Sequence, residues 1–255
     1  MFYFLLSPIM FYNFVLIAAA VIPAILLMLK VYKSDRLEKE SGRKLRQLAV
    51  GGVLASLIAL VAEKLLSLLL NASPIGSPTL YNVILYFIIV AFSEEGAKYF
   101  MLKRRSWKSE EFDCQFDGVV YAVFVALGFA LLDNISYVLS FGFATAVVRA
   151  VTAIPGHACF GVFMGVFYSL AKMHERMGNI GSSRGCRVLA VIVPALIHGA
   201  YDYIATAETT GFNWYFIVFI AVLFIVSFML VSNMAKKDRY LDGSITVEDN
   251  ESYYE

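Results

Sequence analysis

The segment LYNVILYFIIVAFSEEGAKYFML, residues 80–102, decides the fold class. Apart from the block Ser93-Glu94-Glu95-Gly96-Ala97-Lys98 it is almost wholly apolar, over the roughly 20 residues that cross a bilayer. A charge at that depth costs at least a few kcal/mol, and intramembrane ionisable groups usually have a functional partner. The partners of these two carboxyls and one ammonium must come from other spans.

Composition sets the class. The 255 residues are 60% hydrophobic and 16% charged, with 21 Phe, and the mean hydropathy is +0.71. This predicts an all-α, polytopic transmembrane helical bundle rather than a soluble domain. The apolar segments leave no room for a separate soluble domain of about 100 residues. Residues 1–237 are therefore expected to form one transmembrane domain, and residues 238–255 a polar, acidic, disordered cytoplasmic tail. The three cysteines, one within a span and two in loops, do not form a disulfide framework, and Cys159 reads as a small packing residue. Met1-Phe2-Tyr3, with no early Lys or Arg, lacks the basic flank of a cleavable signal peptide.

The net charge of +1 is uninformative as a total, but its distribution orients the chain. Seven spans are expected, at about 11–31, 48–70, 80–102, 116–139, 144–171, 188–205 and 214–234. The loops holding Lys33 to Arg46, Lys103 to Lys108, Lys172 to Arg187 and Lys236 to Arg239 then all fall on one side. By the positive-inside tendency that side is cytoplasmic, with the N-terminus outside and the C-terminus inside. The uncharged connection Asn71–Thr79, with Pro74, Gly76 and Pro78, fits an outside turn, and so does Thr209–Asn213.

Ionisable side chains within spans come in sets: Glu63 and Lys64; Glu94, Glu95 and Lys98; Asp133 beside Asn134; Arg149 and His157; His198 and Asp202. Two of the three histidines lie in spans, on different helices, with carboxyls on others. Imidazole and carboxylate suit a zinc ion, whose bound water is acidified towards a pKa of about 7. The same groups without a metal can activate water by general-base catalysis. Adjacent Glu94 and Glu95 stand about 100° apart on a helix and cannot both face one ion. Lys98, four residues on, can pair with Glu94. Asp202 lies one turn beyond His198, where it can orient the imidazole. Counted from the cytoplasmic ends, Glu95 lies about 10 Å deep, His198 about 15 Å, His157 about 21 Å and Asp133 about 25 Å. A site there needs a water-filled cavity. Glu63 and Lys64 read as structural, with Lys64 snorkelling outward, and Arg149 as lying near the outer interface. Gly161 and Gly165 form a GxxxG pair that marks close helix packing.

The blocks Glu94-Glu95-Gly96-Ala97-Lys98, Phe116-Asp117-Gly118 through Phe129 to Asp133-Asn134, Gly156-His157, and His198 to Asp202 stand in the order found in PrsW-type intramembrane proteases, which this chain resembles over roughly residues 80–205. That family resembles in turn the clan of CAAX prenyl endopeptidases and bacteriocin-immunity proteins. The second block usually ends in Glu-Asn; here it ends in Asp133-Asn134, one methylene shorter. The resemblance implies proteolysis in a bacterial plasma membrane. The implied substrate is a single-span membrane protein such as an anti-sigma factor, given its first cut in response to envelope stress or antimicrobial peptides. It implies Glu94 as the base, with Glu95, His157 and His198 supporting catalysis. Glu95, Asp133, His157 and His198 are the candidate zinc ligands, and Lys98, Asn134 and Asp202 the supporting residues. Partners are then the bilayer and the membrane-anchored substrate, not nucleic acid. A proton- or ion-coupled transporter is the alternative of another class, although the internal repeats common in transporters are not visible. A non-proteolytic membrane scaffold on the same fold is another.

Overall fold

The computed structural model describes residues 8–207 and 213–241. Its helices are α1 (Pro8–Ser34), α2 (Gly42–Asn71), α3 (Pro78–Ser106), α4 (Asp117–Phe141), α5 (Phe143–Val151), α6 (Ala153–Arg176), α7 (Ile180–Ala205) and α8 (Trp214–Lys236). Among the described residues seven segments are long and apolar enough to cross a bilayer, α5 and α6 counting as one. The expected helical bundle of seven spans is therefore present, and the chain is a multi-pass membrane protein.

Local chemistry sets the helix starts. The side chains of Ser41, Ser77, Asn179 and Asn213 each accept a hydrogen bond from a backbone N–H in the first turn of α2, α3, α7 and α8. Pro78 opens α3 at a position whose N–H has no helical acceptor anyway. Two irregularities interrupt the regular winding. The middle of α3, Ile84–Ala91, is a π-helix that returns to α geometry at Phe92, just before the paired glutamates. The fifth span is divided at Thr152, so Arg149 and His157 sit on separate helices.

α4 is the central helix. Every residue from Asp117 to Ala130 is buried, as expected of a helix apolar on all faces. Its neighbours come close because glycines face it. A Cβ on Gly128 would run into the Ala49 backbone of α2, and one on Gly52 into the Val125 carbonyl oxygen. On the α6 side, a Cβ on Gly161 would lie 2.9 Å from that of Ala126, and Gly165 likewise abuts the Val119 backbone, so the GxxxG pair serves close packing. The outer faces of α1, α2 and α8 expose rows of Leu, Ile and Phe, as a lipid-facing surface does.

The reading of a disordered tail from residue 238 is corrected at its start. Asp238 and Leu241 are buried, Phe116 N–H donates to Asp238 Oδ1 at 2.8 Å, and Leu241 N–H donates to the Asp113 carbonyl at 2.6 Å. The chain after α8 is thus fastened onto the α3–α4 loop. Residues 242–255 and most of the Thr209–Asn213 turn lie outside the described residues.

Candidate active site

Four helices deliver the site. Glu94, Glu95 and Lys98 stand on α3, Asp133 and Asn134 on α4, His157 on α6, and His198 and Asp202 on α7. Counted from the observed helix ends at the basic-loop side, Glu94 is about 18 Å deep, Asp133 about 24 Å, His198 about 27 Å and His157 about 28 Å. The depths disagreed more on sequence because the helices overrun the expected span limits, α3 to Ser106 and α6 to Arg176.

Lys98 is the hub. Its side chain is fully buried, and its three protons are directed to Glu95 Oε1 at 2.7 Å, His157 Nδ1 at 3.1 Å and Glu94 Oε2 at 3.2 Å. The Phe129 ring lies 4.1 Å from the ammonium, closing the remaining side. Glu95 is wholly buried, and its Oε1 also lies 2.9 Å from His198 Nδ1. Against an ionised Glu95, Nδ1 carries the proton, and His198 Nε2 is left facing Asp202 Oδ2 at 3.4 Å. The orienting role expected for Asp202 is thus shared: Glu95 holds one ring nitrogen closely, and Asp202 stands by the other. Ring stacking of His198 on Phe160, centroids 4.6 Å apart, fixes the plane.

The two glutamates divide by direction, as their angular offset requires. Glu94 lines a cavity of about 360 Å³ and keeps a slightly exposed carboxylate, its Oε2 at 3.9 Å from His198 Nδ1 and 4.0 Å from His157 Nδ1. Glu95 does not line it. Among the described residues of the spans, Glu94, His157 and His198 bring ligand atoms within 4.8 Å of one another. In that arrangement Glu94 takes the place expected for Glu95. Asp133 reaches the site, with Oδ2 at 3.6 Å from His157 Nε2, but is not in the group; its carboxylate is ion-paired with Arg149. Asn134 accepts from Arg149 Nε at 2.7 Å and donates to the Ala130 carbonyl at 2.8 Å, which fixes the guanidinium.

Lone-pair accounting constrains His157. With Lys98 donating to Nδ1, the ring proton sits on Nε2 and points towards Asp133. His157 then offers an ion no free lone pair until the Lys98 hydrogen bond is released.

Two residues that read as structural from sequence belong to the cavity. Glu63 of α2 and Arg149 of α5 both line the cavity. The signal was spacing: Ser56, Leu60 and Glu63 follow one face of α2, and Arg149, Ala153 and His157 recur every four residues, all of them lining positions.

A multi-span helical protein with a carboxylate and two imidazoles around an internal cavity has the parts of a membrane-embedded hydrolase. Residues 43–231 match the family described as "PrsW family intramembrane metalloprotease", and the chain belongs to that family. Curated relatives named "Protease PrsW" include those of Bacillus subtilis (strain 168), 31% identical over 227 residues covering 89% of this chain and 96% of the relative. That of Clostridioides difficile (strain 630) is 30% identical over 229 residues, 88% of this chain and 91% of the relative. That of Halalkalibacterium halodurans is 30% identical over 227 residues, 89% of this chain and the whole of the relative. No solved structure matches the chain. Membership makes the protein an intramembrane peptidase, and its relatives are bacterial.

Proposed function

We propose that this chain cuts a single-span membrane protein, with an anti-sigma factor as the substrate class and the first cut of its release in an envelope-stress or antimicrobial-peptide response as the step. In this reading the basic loops face the cytoplasm and the N-terminus faces outside, the arrangement the positive-inside tendency favours. The observation that carries the reading is the position of Glu94, the one member of the glutamate pair that faces the cavity, between His157 and His198.

Glu94 is assigned as the base that takes a proton from water on an Oε atom, while the substrate carbonyl enters the cavity. His198, held at Nδ1 by Glu95, and His157, backed at Nε2 by Asp133, flank that water. Lys98 holds both glutamates and one imidazole in register, a positioning role. Glu63, Ser56 and Ser136 give the cavity polar walls along which water can be held at this depth. The donor types suit zinc, and Glu94, His198 and, once the Lys98 hydrogen bond is released, His157 are the residues that would hold it. When bound, the ion would supply a water of lowered pKa.

The test is cleavage in proteoliposomes holding the protein and a single-span substrate. One new substrate N-terminus is expected for the natural sequence and none for Glu94→Ala or His198→Ala; unchanged cleavage in either variant overturns the assignment. Elemental analysis of protein prepared without added metal or chelator tests the zinc part separately. Stoichiometric zinc is expected, and full activity without metal removes the ion and leaves Glu94 as a metal-free base.

A further inference from the structure

A second cavity, of about 450 Å³, lies between α1, α6 and α8, away from the paired glutamates. Its inner part is apolar, walled by Leu27, Val31, Val162, Phe224, Phe228 and Val231. Its rim at the basic-loop end is cationic, formed by Lys30, Arg36 and Lys236, and none of its lining residues is acidic. Lys30 and Lys236 are exposed, and the Lys30 ammonium sits 5.1 Å from the centroid of the Phe228 ring. On α8 the lining runs from Phe224 to Lys236, about 18 Å of helix, which compares with about 15 Å for the apolar half of one leaflet.

From this we infer that the α1–α6–α8 groove is a binding site for an anionic phospholipid, with the headgroup phosphate between Lys30 and Lys236 and one acyl chain along Phe224, Phe228 and Val231. The graded lining, apolar at depth and cationic at the interface, fits an amphiphile with a negative head, and basic pockets between spans are recurrent sites for such headgroups. A free phosphate would leave the apolar depth of the groove unused, so the ligand is the lipid itself. The carboxylates nearest in sequence, Asp35 and Asp238, are buried and do not line the groove. The inference is independent of the proteolytic reading. It still bears on the site, because Ala158, Cys159 and Val162 of α6 line this groove while His157 and Phe160 of the same helix line the cavity of Glu94.

Native mass spectrometry of the full chain, delipidated and titrated with phosphatidylglycerol or phosphatidylcholine, tests it. Phosphatidylglycerol is expected to be retained preferentially, and Lys30→Gln with Lys236→Gln to weaken that retention about thirtyfold, the effect of removing two charges beside an anionic lipid. Val231→Trp, which fills the groove and keeps the charges, is expected to displace the lipid as well. Arg43→Gln with Arg46→Gln, at the start of α2, is expected to leave retention unchanged. Equal retention of the two lipids, an equal loss in the Arg43/Arg46 variant, or displacement of phosphatidylglycerol by excess inorganic phosphate alone would each overturn the proposal. The last result would assign the rim to a free anion.

Discussion

The chain buries carboxylates in two places, and it treats them differently. Inside the spans, Glu94 and Glu95 share Lys98, Asp133 has Arg149, and Asp202 stands by His198. At the basic-loop end, Asp35 is 2% exposed yet neither of its side-chain oxygens has a hydrogen-bond partner, whereas Asp238, like Glu95 in the site, is bonded through one oxygen and leaves the other without a partner. Lys39 lies against Asp35 but donates to its backbone carbonyl instead. Burial pushes Asp35 and Asp238 up to about 6, and Glu40, also through burial, to about 7. An unpaired charge deep in a bilayer costs too much, so Glu94, Glu95 and Asp133 are matched by Lys98 and Arg149 and fixed in orientation. At the membrane edge a proton is available to neutralise the group, so the fastening of loop and tail can rest on acids held partly protonated.

The largest effect separating the two regions is expected from Glu94→Gln. It removes the proposed base and is predicted to lower the rate of peptide cleavage by about 10²–10⁴-fold in a reconstituted assay. Next is Lys98→Met, which leaves Glu95 fully buried without its cation. A loss of about 3–5 kcal/mol is expected, measured as the shift of the unfolding midpoint in denaturant. Arg149→Lys replaces a guanidinium that grips both Asp133 and Asn134 by a single-point ammonium, and is expected to lower kcat about tenfold with little change in KM.

The smallest effect lies at the loop end and is read against pH. Asp35, Glu40 and Asp238 bind protons more tightly folded than unfolded, so the unfolded chain carries fewer protons between about pH 4 and 7. Their contribution to stability is present below pH 4 and is lost as pH rises through 6 to 7. The thermal midpoint in detergent is expected to fall from pH 5 to pH 7.5. Asp35→Asn is expected to raise it by about 2–4 °C at pH 7.5 and flatten the slope. A rise of the midpoint with pH, unaltered by Asp35→Asn, would place the sensitivity elsewhere.

Spans were legible in the sequence because apolar length is a property of each segment alone. The charged sets within them were legible because a charge in such a segment is rare. What was not legible depends on neighbours. Nothing local marks Ile84–Ala91 as π-helical, a winding that sets the angle at which Glu94 leaves α3; its close contact with α7 appears only in three dimensions, where a Cβ on Gly199 would meet Phe87 Cδ1 at 2.6 Å. Glu63 and Arg149 passed for structural charges because an interface position and a cavity position look alike until the facing helix is known. The angular offset of Glu94 and Glu95 shows that they must differ, but which one faces the cavity depends on the neighbouring helix, whose His198 bonds Glu95 and turns it away from the cavity that Glu94 lines.

The central claim is that the pair is divided, with Glu94 facing the reaction and Glu95 holding the machinery. Glu94→Gln and Glu95→Gln compared in the same vesicles, with cleavage rate and thermal midpoint read together, test it most directly. Glu94→Gln is expected to lower the cleavage rate by about 10²–10⁴-fold and leave the midpoint near that of the natural sequence, whereas Glu95→Gln lowers the midpoint and only partly reduces cleavage. Cleavage that survives Glu94→Gln and is lost in a stably folded Glu95→Gln protein would contradict it.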